Sequence, residues 1–252
     1  MLSTLNELVE NKNVDKFRVV YEENLNSLEY FEHQELLFRS CRLGLIDLVD
    51  IILNSKRIDV NDKHLSTNST LLFITIRSQQ KLITEYLIQI KNAEINHVNF
   101  YNETCLSLAI SKYDLCTIKL LINYNVNINE QDFLYAINNC LQELIMNKTI
   151  DISFGIVKNL CDYNTNIIEQ YGPKAIHNLI KRLSWLSYTT MKNDELDWKQ
   201  ISFNIKKILI YFLELHQCSI NYKDEQGNTI LMLACRTCPI IVEYLLDKTQ
   251  LI

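Results

Sequence analysis

Three stretches of this chain share one pattern. NSTLLFITIRSQQKLITEYLI begins at Asn68, NETCLSLAISKYDLCTIKLLI at Asn102 and GNTILMLACRTCPIIVEYLL at Gly227. Each opens on a turn residue, a variable residue and Thr. An apolar segment, a polar break and a second apolar segment follow. Thr70 and Thr104 lie 34 residues apart. A fixed period in the range of about 20–50 residues restricts a chain to repeat architectures, in which each unit buries its apolar face on its neighbours.

The rest of the unit repeats as well. LNSKRIDVN (53–61), IQIKNAEIN (88–96) and INYNVNIN (122–129) are alike. After the terminal Asn61, Asn96 and Asn221, the Thr that opens the next unit comes at a nearly constant distance, at Thr70, Thr104 and Thr229. Thr favours the N-cap and predicts a short helix after it. Leu106 and Ala109 are three apart on one face of that helix. Leu115, Ile118, Leu121 and Ile122 continue helical spacing in the next. Helices of roughly ten residues barely form alone in water, so they need stacked neighbours. The turn glycine Gly227 is one of only four in the chain, and Asn68 and Asn102 hold its place elsewhere. Asn tolerates the left-handed backbone better than other non-glycine residues, so all three should have positive φ.

These residues resemble the ankyrin repeat, with its D-x-x-G-x-T-P-L-H-x-A segment, inter-helix glycine, V-x-x-L-L helix and G-A-x-x-N. Asp224, Gly227, Thr229, Leu231, Ala234, Val242, Leu245 and Leu246 carry the pattern in one unit. Asn99, Asn102, Thr104, Leu106, Ala109, Ile118, Leu120, Leu121 and Asn129 carry it in another. Gly44, Val49, Leu53, Val60 and Asn61 carry its second half in a third. The resemblance implies an all-α solenoid of about seven stacked helix pairs in a single ankyrin-repeat domain, 1–252. The units are expected near 2–30, 34–65, 66–98, 99–130, 131–168, 171–222 and 224–252, with insertions near 140–151 and 184–200. The Pro and His of T-P-L-H are absent from every unit. The inter-helix glycine is Gln79 in one unit and Tyr113 in another, which should strain or change the turn. Ala136 follows Asn129 so closely that the intervening hairpin must be shortened.

Net charge of −5 and a pI near 5.6 argue against a nucleic-acid binder. The N-terminus lacks the pattern of a signal peptide, and no apolar run approaches the roughly 20 residues of a membrane helix. The expected setting is cytoplasmic or nuclear, with the eight cysteines reduced. Four glycines, two prolines and abundant Asn, Ile, Lys and Tyr indicate AT-rich coding. Divergent ankyrin chains of that composition are similar to those of large DNA viruses and intracellular bacteria, which often bind host factors.

Chemistry finds little support. His33, His64, His97, His177 and His216 are scattered, and the glycines at 44, 155, 172 and 227 form no phosphate loop. His216, Cys218, Cys235 and Cys238 give H-x-C…C-x-x-C, enough ligands for one zinc. Against that, Cys41, Cys218 and Cys235 stand at family alanine positions, where a free Cys packs as a small hydrophobe. The expectation is a non-enzyme with no cofactor and no metal.

The implied role is recognition of a protein partner by the concave face of hairpin tips and first helices. The tip positions are Ser66, Thr67 and Ser69, then Phe100, Tyr101 and Glu103, then Glu225, Gln226 and Asn228. The helix-end positions are Arg77 and Ser78, Ser111 and Lys112, and Arg236 and Thr237. Phe100 and Tyr101 stand out, because two adjacent aromatics at a tip have little core to fill; the alternative is that they pack on a neighbouring hairpin. Trp185, Tyr188 and Trp198 fall in or beside the 184–200 insertion, as packing residues or as a partner-binding loop. A second reading is an adaptor or scaffold that assembles through an uncapped C-terminal repeat. The expected state is a monomer or weak self-association, with no nucleic acid or membrane partner.

Overall fold

The computed structural model describes residues 1–145, 150–164, 166–190, 198–216, 218–236 and 239–249. Among them every regular element is helical. Two compact bodies, 1–127 and 128–252, divide the chain.

The first body holds four helix pairs: α1 (Leu2–Glu10) with α2 (Val14–Glu23), α3 (Tyr30–Leu43) with α4 (Ile46–Asn54), α5 (Leu71–Arg77) with α6 (Lys81–Gln89), and α7 (Cys105–Ser111) with α8 (Leu115–Asn123). The first helices form a row, α1 on α3, α3 on α5 and α5 on α7. Their apolar faces make the core, with Leu5, Leu36, Leu37, Leu71, Leu72, Phe73, Leu106 and Ala109 wholly buried. Burial of one such leucine contributes about 1.5–3 kcal/mol. Seven-residue helices such as α5 and α7 therefore depend on this stacking.

The repeat is most visible in the backbone. Eight non-glycine residues and two glycines have positive φ among the described residues, and all fall at three places in the repeat. Asn68, Asn102 and Gly227 sit at hairpin tips, at φ 55°, 59° and 77° as expected. Lys12, Gly44, Gln79 and Tyr113 sit between paired helices. Lys56, Asn92 and Asn125 follow second helices. The inter-helix turn is the same in all four cases. The next N–H reaches back five residues, Asn13 to Leu8 O (3.0 Å), Leu45 to Ser40 O (3.0 Å), Gln80 to Thr75 O (2.8 Å) and Asp114 to Ala109 O (3.0 Å). That bond closes a Schellman motif. Gln79 and Tyr113 thus keep the glycine turn instead of changing it. They hold a left-handed conformation that costs a residue with Cβ about 1–2 kcal/mol.

The second body departs from the short pair. α9 (Glu130–Ile145) starts directly after Asn129, whose Oδ1 accepts the Asp132 N–H at 2.8 Å. The hairpin expected there in shortened form is absent. α9 packs on α10 (Asp151–Tyr163) and on α11 (Asn166–Thr190), a 25-residue helix containing Pro173. α12 (Trp198–Leu209) runs into a π-helical segment, Ile210–Leu215. α13 (Ile230–Ala234) and α14 (Pro239–Thr249) complete the body, with α13 on α11 and α14 on α12. Residues 184–190, in the expected insertion, extend α11. Residues 191–197 lie outside the described residues.

Candidate functional site: hairpin tips and the first-helix face

Each hairpin tip is held by a side chain at its start. Asn99 Oδ1 accepts the N–H groups of Tyr101 and Glu103, both at 2.9 Å. Asp224 Oδ1 does the same for Gln226 (3.0 Å) and Asn228 (2.8 Å). Such Asx turns satisfy backbone donors that a tight loop would otherwise leave to water. In the earlier hairpin His64 takes this place, one residue further from the tip. Its N–H donates to Ser69 O at 2.9 Å, and its ring contacts Ser66 Oγ at 3.0 Å.

Successive hairpins are stitched together. The Phe100 N–H donates to Thr67 O (3.1 Å), and His97 Nε2 donates to Asn68 O (2.6 Å). His177 Nε2 likewise lies 3.0 Å from Asn228 O. These two histidines, scattered in sequence, are buried and brace hairpins. The stitching occupies backbone groups and leaves tip side chains in solvent. Phe100 is 68% exposed and Tyr101 65%. Leu65, absent from the sequence expectations, is 84% exposed at the neighbouring tip. Its signal was an apolar residue inside a polar turn, DKHLSTNST, as in NFYNET.

The other expected positions divide by what their polar atoms do. Ser66, Glu225, Gln226, Lys112 and Arg236 are exposed. Arg77 is exposed, but its guanidinium pairs with Glu103 at 2.8 Å, and Asn99 Nδ2 donates to the same carboxylate at 2.7 Å. Ser111 is half-buried and donates to Leu108 O at 2.7 Å. Thr67 and Ser78 are half-buried, and the Asn228 amide donates to Asp224. Ser69 is a correction. It is 1% exposed, because it lies on the return arm of the hairpin, where its carbonyl closes the loop and its hydroxyl meets Asn99 Nδ2 at 3.5 Å. Trp185 and Tyr188 lie within α11 and Trp198 opens α12. Their side chains, like Thr237, lie outside the described residues.

Below the first hairpin is a cleft of about 480 Å³ on the exposed side of α3. Phe31 and Phe38 wall it with His64, whose ring lies 5.4 Å from that of Phe38. Arg39, bonded to Glu10 at 2.7 Å and Asn6 at 3.2 Å, fixes one side. The cleft continues the first-helix face with an aromatic surface that no spacing rule marked in advance.

Several reactive groups are closed off. Ser153 Oγ donates to Glu143 next to Cys140, but Ser153 and Cys140 are wholly buried. Burial pushes the Cys140 thiol up to about 12, away from thiolate chemistry. Cys218 is buried and its thiol reaches Ile168 O at 3.7 Å, with its pKa raised to about 11. Cys235 is exposed and Cys238 lies outside the described residues. Among the described residues no three His, Cys, Asp or Glu converge as metal ligands. No helix among them is long and apolar enough to cross a membrane.

Comparison with known proteins agrees with this geometry. No curated protein matches the chain. One solved chain similar in fold comes from the complex of the Bd0816 predatory endopeptidase of Bdellovibrio bacteriovorus with immunity protein Bd3460. It has 16% identity and a TM-score of 0.58, over 84% of this chain and 97% of that one. The human ASB11 ankyrin repeat domain aligns at 14% identity and a TM-score of 0.48, over 84% and 96%. Residues 6–132 match the family model for ankyrin repeats in three copies. With half its length matched and its helix pairs arranged as described, the chain belongs to the ankyrin-repeat family, and its fold is the all-α ankyrin-repeat solenoid.

Proposed function

We propose that the chain recognises a protein partner through the hairpin tips and first-helix face of residues 1–127. Ankyrin repeats are protein–protein interaction modules, and this fold is typically a non-enzymatic scaffold. The observation that carries the reading is the exposure of Leu65, Phe100 and Tyr101 on two stitched hairpins. Large apolar side chains that solvent reaches on a rigid loop mark contact sites rather than core. The aromatic cleft on α3 supports the same face. The bracing hydrogen bonds pre-organise the tips, which lowers the ordering cost of binding. All seven described cysteines are unpaired, which fits a reducing cytoplasmic or nuclear setting. The resemblance to chains of large DNA viruses and intracellular bacteria directs the search for a partner to a host cell.

Affinity capture compares the natural chain with a Leu65→Ser, Phe100→Ser, Tyr101→Ser variant and with a Leu82→Ser control. Leu82 is 73% exposed on α6, away from the tips. Loss of the same captured protein in the triple variant alone supports the reading. Equal capture by all three chains removes the tips from the site.

A further inference from the structure

The chain has four glycines, and the fold accounts for three of them. Gly44 and Gly227 have positive φ. At Gly172 a Cβ would stand 2.7 Å from Cys218 Sγ. Gly155 has neither reason. It lies inside α10, half-buried, and a Cβ there would meet nothing within 4 Å. Inside a helix, glycine gives up more chain freedom than alanine and packs less. What it offers is room for another backbone to approach. Gly155 thus makes a notch on the open side of a second helix, away from the row of first helices.

The residues around the notch point to an occupant. Ile152, one turn before Gly155, is 54% exposed. Asp151 beside it pairs with Lys207 of α12 at 3.1 Å, yet its side chain is still 69% exposed. Lys158, one turn after Gly155, lies over the Phe154 and Tyr211 rings at 4.9 and 5.5 Å. It is exposed and has no carboxylate partner among the described residues. Phe203, one turn before Lys207 on α12, is 65% exposed and widens the apolar surface. One face therefore carries a knob and a notch, and an acid and a base on opposite sides of the notch. An interface between two copies about a twofold axis needs that pattern, because each feature must meet its complement on the same surface. Two antiparallel copies of α10 crossing near Gly155 satisfy it. Ile152 of each lies over the partner's Gly155, and each Asp151 comes opposite the partner's Lys158. An acidic chain or an anionic surface would match Lys158 but not Asp151.

We infer that two copies of this chain associate through α10, as an antiparallel pair crossing at Gly155, with Phe203 of α12 at the edge of the contact. The surface belongs to second helices of the second body and uses no residue of the hairpin tips.

Sedimentation velocity of the full chain over a range of concentrations tests this. The mass should rise with concentration from 29.7 kDa toward twice that value. Gly155→Leu should weaken association by about tenfold or more, because the added side chain overfills the crossing point. The same variant should melt no lower than the natural chain when both are dilute, since the space above Gly155 is open within one copy. Asp151→Lys and Lys158→Asp set like charges opposite each other and should each stay monomeric alone. Mixed together, the two variants should pair, because each altered charge then meets its opposite. The Leu65, Phe100, Tyr101 variant should associate like the natural chain, which separates this contact from the tip reading. A natural chain that is monomeric at every concentration overturns the inference. So does association unaltered by Gly155→Leu, or a mixture of the two charge variants that does not pair.

Discussion

Tyr113 occupies the same backbone conformation as Gly44, two helix pairs earlier in the chain. Both lie between paired helices, at φ 54° and 81°, and both close the turn with a five-residue back-bond. The repeat has lost its glycines without losing the shapes they served. The exposed Gln79 (φ 57°) gives the cleanest measure of the cost. Gln79→Gly relieves about 1–2 kcal/mol of left-handed strain and gives back about 0.5–1 kcal/mol in chain entropy. Urea unfolding should show a net gain of up to about 1.5 kcal/mol. The converse holds at Gly44, where a Cβ would also stand 2.5 Å from Gln80 Oε1. Gly44→Ala should therefore cost more than Gly227→Ala, whose Cβ would meet nothing within 4 Å.

Thr70 and Thr104 occupy one repeat position but do different work. Thr104 Oγ1 accepts the Ser107 N–H at 2.9 Å, and the Thr104 N–H donates to Ser107 Oγ at 2.9 Å. Thr70 Oγ1 is buried without a partner among the described residues. Replacement by Val should cost about 1 kcal/mol at Thr104, the usual worth of a cap. At Thr70 it should be neutral or stabilising, since it removes an unsatisfied buried hydroxyl. Equal losses at the two sites would contradict the geometry.

His33 makes stability depend on pH. Its ring is buried, with Nδ1 2.7 Å from the Tyr21 hydroxyl. Burial, with the nearby Arg57 charge, holds its pKa below the ordinary 6.5, against the opposing Leu25 carbonyl and Glu32. A histidine depressed in the folded state contributes stability above its unfolded pKa. That stability is lost as pH falls from about 6.5 through the folded value. Stability should drop between pH 7.5 and 5.5, and His33→Gln should flatten that slope. A slope unchanged by His33→Gln would assign the effect elsewhere.

Asn99 fixes the tip that carries Phe100 and Tyr101. Asn99→Ala leaves the Tyr101 and Glu103 N–H groups without their acceptor and should cost about 1–2 kcal/mol. Hydrogen exchange at those two amides should speed up. Asn99→Asp keeps both backbone bonds but sets a carboxylate against Glu103, which now accepts from Asn99 Nδ2 at 2.7 Å. It should restore the tip fully only together with Glu103→Asn, the pairing that Asp224 and Asn228 make.

The first body was legible because its signals are local. Thr caps, tip asparagines and apolar spacing recur at one period, and each acts within a few residues. The outcome at Gln79 and Tyr113 was not legible, since only the packed helices decide whether a strained turn is kept. The second body was harder to read. α9 has no hairpin before it, and α11 continues past Pro173 to 25 residues, so neither matches the period. The bracing histidines were missed because their partners are backbone carbonyls 29 and 51 residues away, which leave no side-chain signature. The tip aromatics were visible as an adjacent pair. Leu65 and the cleft at Phe31 needed the structure to show that nothing covers them.

The central claim is that the tips of the first body meet a protein partner. Benzoylphenylalanine placed at Phe100 tests it most directly, by photocross-linking in the cell that supplies the partner. The account predicts a discrete adduct from position 100 that is absent when the probe replaces Leu82. Adducts of equal yield from both positions, or from Leu82 alone, would contradict it.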